Sequence, residues 1–427
     1  MLRIAIAGLI VWTLAAPAGA QSLAGHWQGT ETAAGTSMPV VFDFADNTSG
    51  RYSSDVQRAM DYPLDSVTLN AGAIHFVLGG DSQFEGKLER DTITGTVKGD
   101  GVDGTFVLHR VTAQALPYLV QEVTFANGPT TLSGTLIEPR GKGPFPAVVL
   151  LQGSGPETRW GTNRFIADRL ARAGIAALIY DKRGSGTSSG DWKTADYDDL
   201  ARDALAGADL LRHRPEIDAA AIGLHGHSQG GIVAADAARL EPAHVAFIVS
   251  EDSVAGPVWQ QDLYRVKGAL AQDFPPDQAA AALRLYSLFI DVARGKKPYE
   301  DLAAAEAPVI KEPWFDWLGL PPKDSWLWPW YLKTGTVDTL DYWHAVKVPT
   351  LVVYGQHDAL VPVDDSLAEL GDTLKKSGAP YTALIVPQAE HNLTVHPQPG
   401  QPFFFWHGAP GYYDLMVDWI AATARHP

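Results

Sequence analysis

The chain has 427 residues, with 33 Lys and Arg against 49 Asp and Glu, 46% hydrophobic residues and no cysteine. That length points to two or three modules, and the composition is that of a globular protein rather than a disordered one. A formal net charge of −16 without a basic run excludes nucleic acid and anionic lipid as favoured partners, and the lack of Cys excludes disulfides, thiol nucleophiles and cysteine-ligated zinc.

In chain order, the first predicted element is a leader. Arg3 supplies one positive charge, residues 4–16 are apolar, and Ala18-Gly19-Ala20 is a small-x-small cleavage site. The stretch is short for a membrane span, and no later stretch is apolar for long enough to be one. The expectation is a signal peptide over residues 1–20, cleaved after Ala20, and a periplasmic or secreted protein with no membrane span after cleavage.

Residues 21–113 carry the period of strands. Val40, Phe42 and Phe44 alternate with other residues, as do Ile74, Phe76 and Leu78, then Ile93, Gly95 and Val97. Asn47, Gly50, Gly79-Gly80, Arg90-Asp91 and Gly99-Asp100-Gly101 separate them as turns. The pattern predicts a small antiparallel β domain of seven or eight strands, with Trp27 plugging its core and no catalytic constellation.

Thr112–Pro117 reads as a linker, and residues 114–427 as a second domain in which strands and helices alternate. Val120–Phe125 and Thr131–Ile137 read as an antiparallel pair. Continuous apolar runs at Ala147–Leu151 and Ile175–Tyr180 are expected of strands buried on both faces. Ala219–Leu224, His244–Val249, Thr350–Tyr354 and Thr382–Val386 continue the series. Tyr197, Leu200, Ala201, Ala204, Leu205, Ala208 and Leu211 fall on one helical face. The fold class is therefore α/β, a mostly parallel sheet with helices on both faces. About residues 254–345 interrupt the alternation with two amphipathic helical patterns and a Trp-rich stretch, which reads as an inserted helical cap.

Gly226-His227-Ser228-Gln229-Gly230 has the spacing of a nucleophile elbow, set between a predicted strand and a predicted helix. The tight turn demands residues without side chains on either side of Ser228, and the helix N-terminus favours negative charge beside it. An acyl-transfer site also needs two backbone N–H groups aimed at the developing oxyanion. Gln229 should give one. The loop Gln152-Gly153-Ser154-Gly155-Pro156 should give the other, from Ser154 or alternatively Gly153. In Tyr180-Asp181-Lys182-Arg183-Gly184, Asp181 and Arg183 read as pins for a loop next to this one. Acid and base should follow the serine in the order acid, then His. Asp358 sits just past the strand Thr350–Tyr354, and His391 just past Thr382–Val386. The alternative carboxylates Asp364, Asp365 and Glu390 read as helix-start or neighbouring residues. His225 and His227 form a His-x-His pair that can open a metal site, but in the elbow they flank the nucleophile. No metal and no cofactor is expected.

On these motifs the chain, from about residue 118 to its end, resembles the α/β-hydrolase superfamily. More narrowly it is similar to EstD-like bacterial carboxylesterases, near the serine aminopeptidase and dienelactone hydrolase groups. The resemblance rests on Gly153–Pro156, Asp181–Gly186, Gly226–Gly231 and Val348–Asp358, in that order. It departs at Glu157-Thr158-Arg159-Trp160, where relatives often place acidic residues around the Arg. The resemblance implies an α/β-hydrolase sheet with a cap, a β-rich N-terminal domain, and hydrolysis of short or medium acyl esters by a Ser228–Asp358–His391 triad. A peptidase or amidase, or an acyl thioesterase, would use the same triad. A binding protein without catalysis is the alternative from another class. The expected partner is a small-molecule ester.

Overall fold

The computed structural model describes residues 21–99 and 102–424. The leader assigned to residues 1–20, and Asp100-Gly101 of the turn placed at 99–101, lie outside the described residues. Contacts divide the chain into two units. The first comprises residues up to Ala33, Val40–Tyr52 and Pro63–Ala113; the second comprises Ala34–Pro39, Ser53–Tyr62 and everything from Gln114 on.

The N-terminal sheet is antiparallel and has nine strands, in which the first, Gly25–Ala33, pairs with the last, Val102–Val111. The sequence reading allowed eight at most. The strand Ala59–Pro63 has no fully buried residue, so it carries no apolar alternation by which to be recognised. Inside the first unit, alternate residues converge on an aromatic core of Phe42, Phe44, Phe76, Phe84 and Phe106. The Phe76 and Phe84 rings stack at 4.6 Å. Trp27 is fully buried, its indole N–H donates to the Leu23 carbonyl at 2.8 Å, and the Arg110 guanidinium lies 4.2 Å above its ring.

The second unit holds an eight-stranded sheet. Its strands are β1 (Tyr118–Asn127), β2 (Thr130–Pro139), β3 (Phe145–Leu151), β4 (Ala176–Tyr180), β5 (Ile217–His227), β6 (Ile248–Glu251), β7 (Thr350–Gly355) and β8 (Tyr381–Val386). They lie in the order β1-β2-β4-β3-β5-β6-β7-β8. The β1–β2 and β2–β4 pairs are antiparallel and the rest parallel. Central strands β4, β6 and β7 are buried at every position, as crossover helices on both faces require.

Five helices share those faces: α1 (Thr162–Arg172), α2 (Tyr197–Arg212), α3 (Gln229–Leu240), α9 (Val363–Ser377) and α10 (Tyr412–Thr423). The face expected for α2 is the face it buries, and a capping box between Asp196 and Asp199 starts the helix. Between β6 and β7 the cap contributes α4 (Val258–Asp273), α5 (Pro276–Ala293), α6 (Tyr299–Glu306), α7 (Leu327–Thr334) and α8 (Leu340–Trp343). The first four pack around their own core, centred on Phe289, Ile290, Trp314 and Tyr331. No helix among the described residues is long and apolar enough to cross a membrane.

One strand is displaced from its expected place. His244–Val249 was predicted as a strand, but Pro242–His244 forms a turn of 3₁₀ helix and β6 begins only at Ile248. The strand therefore runs on to Glu251 and ends in the polar segment Ser250–Ser253, which proves to be buried.

Candidate active site

Ser228 stands between the end of β5 and the start of α3, with φ 52° and ψ −117°. A non-glycine residue pays for such a backbone only where its surroundings enforce it. Here a Cβ on Gly226 would overlap the backbone of Gly230, and the Ser228 N–H donates to the Glu251 carbonyl at 2.8 Å. The hydroxyl is half-buried and makes no hydrogen bond among the described residues.

His391 follows β8 and Asp358 follows β7. Their loops are brought together by close backbone approach. A Cβ on Gly355 would overlap the Glu390 carbonyl oxygen, and the His357 N–H donates to the Ala389 carbonyl at 2.8 Å. His391 Nδ1 lies 2.8 Å from Asp358 Oδ2. The other carboxylate oxygen accepts the N–H groups of Leu360 (2.7 Å) and Val361 (3.0 Å), so the buried acid is fixed in orientation. This arrangement leaves Nε2 as the free nitrogen of His391.

Ser228, Gln229 and Ser154 line one cleft, together with Tyr197 from α2 and cap residues including Gln261, Asp262, Trp330 and Tyr331. The Gly153 N–H is already engaged by Glu157 Oε2 at 3.2 Å, and its carbonyl accepts Lys182 Nζ at 2.6 Å. Ser154 N–H has no such partner among the described residues. Of the two sequence candidates, Ser154 therefore has the free donor. Arg183 is spent on Asp203 in a two-pronged pair at 2.6 and 2.7 Å, and Asp181 accepts from Arg159. Both pin loops rather than line the cleft. Of the cap tryptophans, Trp330 lines the cleft, whereas Trp328 packs on Phe289 and Tyr299.

Sequence reasoning passed over several buried charges. Lys182 Nζ also donates to Gln229 Oε1 at 2.5 Å, tying together the two loops from which the oxyanion donors are expected. Burial pulls its ammonium down to about 8, against the carboxylates of Glu157 and Asp203, which pull it up. From the ordinary 10.5 down to about 8 the unfolded chain holds this proton better than the folded one. Stability should therefore rise with pH through that window and be lost as pH falls through it. Lys182→Met should flatten the rise in melting temperature from pH 8 to 10.5; a variant that keeps the wild-type slope would show that another group titrates.

His227 is driven down to about 3 by burial first and by His391 second, so it stays neutral beside the candidate base. Asp252, at the end of β6, is fully buried. Its Oδ1 accepts the Gly355 N–H at 2.7 Å, while Oδ2 has no partner. Burial, then the charges of Glu251 and Asp358, raise its carboxyl well above the usual range. His227, Asp252 and His391 place ligand atoms within 4.8 Å of one another, a spacing that can hold a metal ion; a metal there would engage the imidazole that Asp358 orients. His225 is not in that group and points instead to Glu251.

The family described as serine aminopeptidase S33 matches residues 143–398. The chain is 31% identical to esterase EstD of Thermotoga maritima over 141 residues, 31% of this chain and 34% of the esterase. It thus spans about a third of that relative's length. It is 26% identical over 216 residues to a non-heme haloperoxidase of Rhodococcus erythropolis, covering 49% of this chain and 73% of the other. Dienelactone hydrolase from Anabaena variabilis aligns in structure with a TM-score of 0.42 and 18% identity, over 72% of this chain and 98% of that one.

Proposed function

We propose, since this chain belongs to the serine aminopeptidase S33 family, that it is an exported hydrolase cleaving carboxylic esters with Ser228 as nucleophile, His391 as base and Asp358 as the orienting acid. The observation that carries the reading is Ser228 itself. It is held at φ 52° at the head of a helix, in a cleft it shares with the two backbone donors the reaction needs. The Asp358–His391 contact supports it. Catalytic hydrogen bonds are often long before substrate binds, so the open Ser228 hydroxyl is compatible with the role.

In this mechanism His391 Nε2 takes the Ser228 proton as Oγ attacks the ester carbonyl. Asp358 accepts from Nδ1–H, keeping the required tautomer and stabilising the imidazolium. The N–H groups of Gln229 and Ser154 receive the oxyanion. Collapse expels the alcohol with a proton from His391, leaving an acyl-enzyme. Water then repeats the sequence, releases the acid and restores Ser228.

A second reading has one observation in its favour. Asp262, from the cap, lines the same cleft as the nucleophile, where a carboxylate could pair with the free amine of a peptide. That carboxylate is already partly engaged, accepting from the Tyr331 hydroxyl at 2.9 Å. A panel of nitrophenyl esters graded in acyl length, amino-acid anilides and acyl thioesters separates the readings. Ester turnover well above anilide turnover is expected, with Trp330→Ala shifting the preferred acyl length and Trp328→Ala lowering stability without shifting it. Faster cleavage of anilides would make the protein a peptidase.

A further inference from the structure

Behind the elbow, the end of β6 holds a buried charge that the proposed chemistry leaves unused. Glu251 is 1% exposed. Its backbone carbonyl accepts the Ser228 N–H at 2.8 Å. Its carboxylate faces His225 Nε2 at 2.9 Å, three residues before the nucleophile. From α10, the Tyr412 hydroxyl reaches Oε2 at 3.4 Å and the Tyr413 hydroxyl reaches Oε1 at 3.5 Å. A single residue thus supports the strained backbone of the elbow and braces the strand that leads into it.

A buried carboxylate needs a counter-charge. The groups facing Glu251 are His225 and His227 on β5, Tyr412 and Tyr413 on α10, its neighbour Asp252, and Arg58. Only Arg58 carries a fixed positive charge. It comes from the turn Asp55–Arg58, within the segment Ser53–Tyr62 that belongs to the second unit. Arg58 is 3% exposed, donates to the Tyr413 hydroxyl, and lies 5.3 Å from the centre of that ring. The seat is fitted to it. A Cβ on Gly408 would overlap the Arg58 side chain, the Gly408 N–H donates to Val56 at 2.9 Å, and Arg58 itself is held at φ 51°. Burial also raises the Tyr413 phenol, so its hydroxyl keeps the proton with which it donates to Glu251 while accepting from Arg58.

We propose that Arg58 is a positioning residue for the hydrolytic site, acting through Tyr413 and Glu251 to hold the Ser228 elbow in its reactive backbone. The inference rests on the reading of Ser228 as nucleophile. Burial pushes the Glu251 carboxyl up, but the hydrogen bond to His225 and, beyond it, the Arg58 guanidinium outweigh burial and hold the group below its ordinary range. Taking the guanidinium away removes part of that pull. Tyr413 then loses its fixed partner, and the carboxylate that braces the elbow is held less firmly.

The test uses the full chain with Arg58→Met, Arg58→Lys and Tyr413→Phe, measuring kcat, KM and melting temperature. Arg58→Met is expected to lower kcat about tenfold, the scale of one charge-assisted hydrogen bond. KM should hold, because Arg58 does not line the cleft. Arg58→Lys should recover most of kcat. Tyr413→Phe removes only the linking hydroxyl and should lower kcat in the same way with KM unchanged, which covers the case in which Arg58→Met does not fold. A folded Arg58→Met with wild-type kcat, or a folded Tyr413→Phe with wild-type kcat, would overturn the proposal. So would a loss in Arg58→Met that tracks melting temperature alone and is not recovered by Lys. Labelling of Ser228 by a fluorophosphonate in the same set separates the two ideas. A labelled wild type with indifferent Arg58 variants sinks only this inference, whereas an unlabelled but active wild type sinks the nucleophile itself.

Discussion

Purified Ser228→Ala is expected to hydrolyse nitrophenyl esters about 10⁴–10⁶-fold more slowly than wild type, the range that loss of a triad nucleophile costs. The fold should survive. The hydroxyl is half-buried and bonds to nothing the structure depends on, and alanine meets the same strain at φ 52° as serine does. The N–H to Glu251 and the clearance at Gly226 are backbone properties that the substitution leaves in place. Wild type should lose activity to a fluorophosphonate, and the label should map to Ser228. Retention of more than a tenth of wild-type kcat by a folded mutant would remove Ser228 from the mechanism. The elbow would then be a strained turn with another use.

The parts of this site that were legible in the sequence are those with a local signature. An elbow is five consecutive residues, and its strand and helix lie on either side. Runs such as Ala147–Leu151 have few states open to them other than a strand buried on both faces. Asp358 and His391 are separated by 33 positions, yet each lies just beyond a recognisable strand, so order and topology stand in for distance. What was not legible is whatever depends on contact between remote segments. Ser250 and Glu251 fall outside the strand expected at His244–Val249, because buried polar residues are uncommon unless partnered, and the partners of Glu251 lie on β5, on α10 and at Arg58. Nothing local distinguishes Arg58 from any other arginine in a hairpin turn. The choice between Ser154 and Gly153 was equally closed to sequence, since it turns on where the Glu157 side chain falls. Extension of β6 to Glu251 exposes a further ambiguity, for it sets a second carboxylate, Asp252, at a strand end facing the candidate base.

Asp358→Asn and Asp252→Asn should therefore behave differently, although both acids are buried near His391. Asp358 has one oxygen fixed by two backbone N–H groups and the other 2.8 Å from His391 Nδ1. An amide in that place presents an N–H to the ring or misorients it, and the wrong tautomer lowers kcat by about 10³–10⁴. Asp252 has no bond to His391. One oxygen is held by Gly355, the other is unpartnered, and burial with two neighbouring carboxylates keeps the group protonated far above the usual range. A neutral acid offers an imidazolium little stabilisation, and asparagine has its shape. Asp252→Asn should accordingly stay within about tenfold of wild type, or ~1.4 kcal/mol in barrier. Asp364 and Asp365 lie exposed in the first turn of α9, where acids favour the helix N-terminus, and their amides should change stability slightly and turnover hardly at all. Glu390 faces His396 at 3.9 Å rather than His391, and its amide should be equally mild. If Asp252→Asn collapses while Asp358→Asn remains active, the acid belongs to the end of β6, and the Asp358–His391 pair only braces the loop.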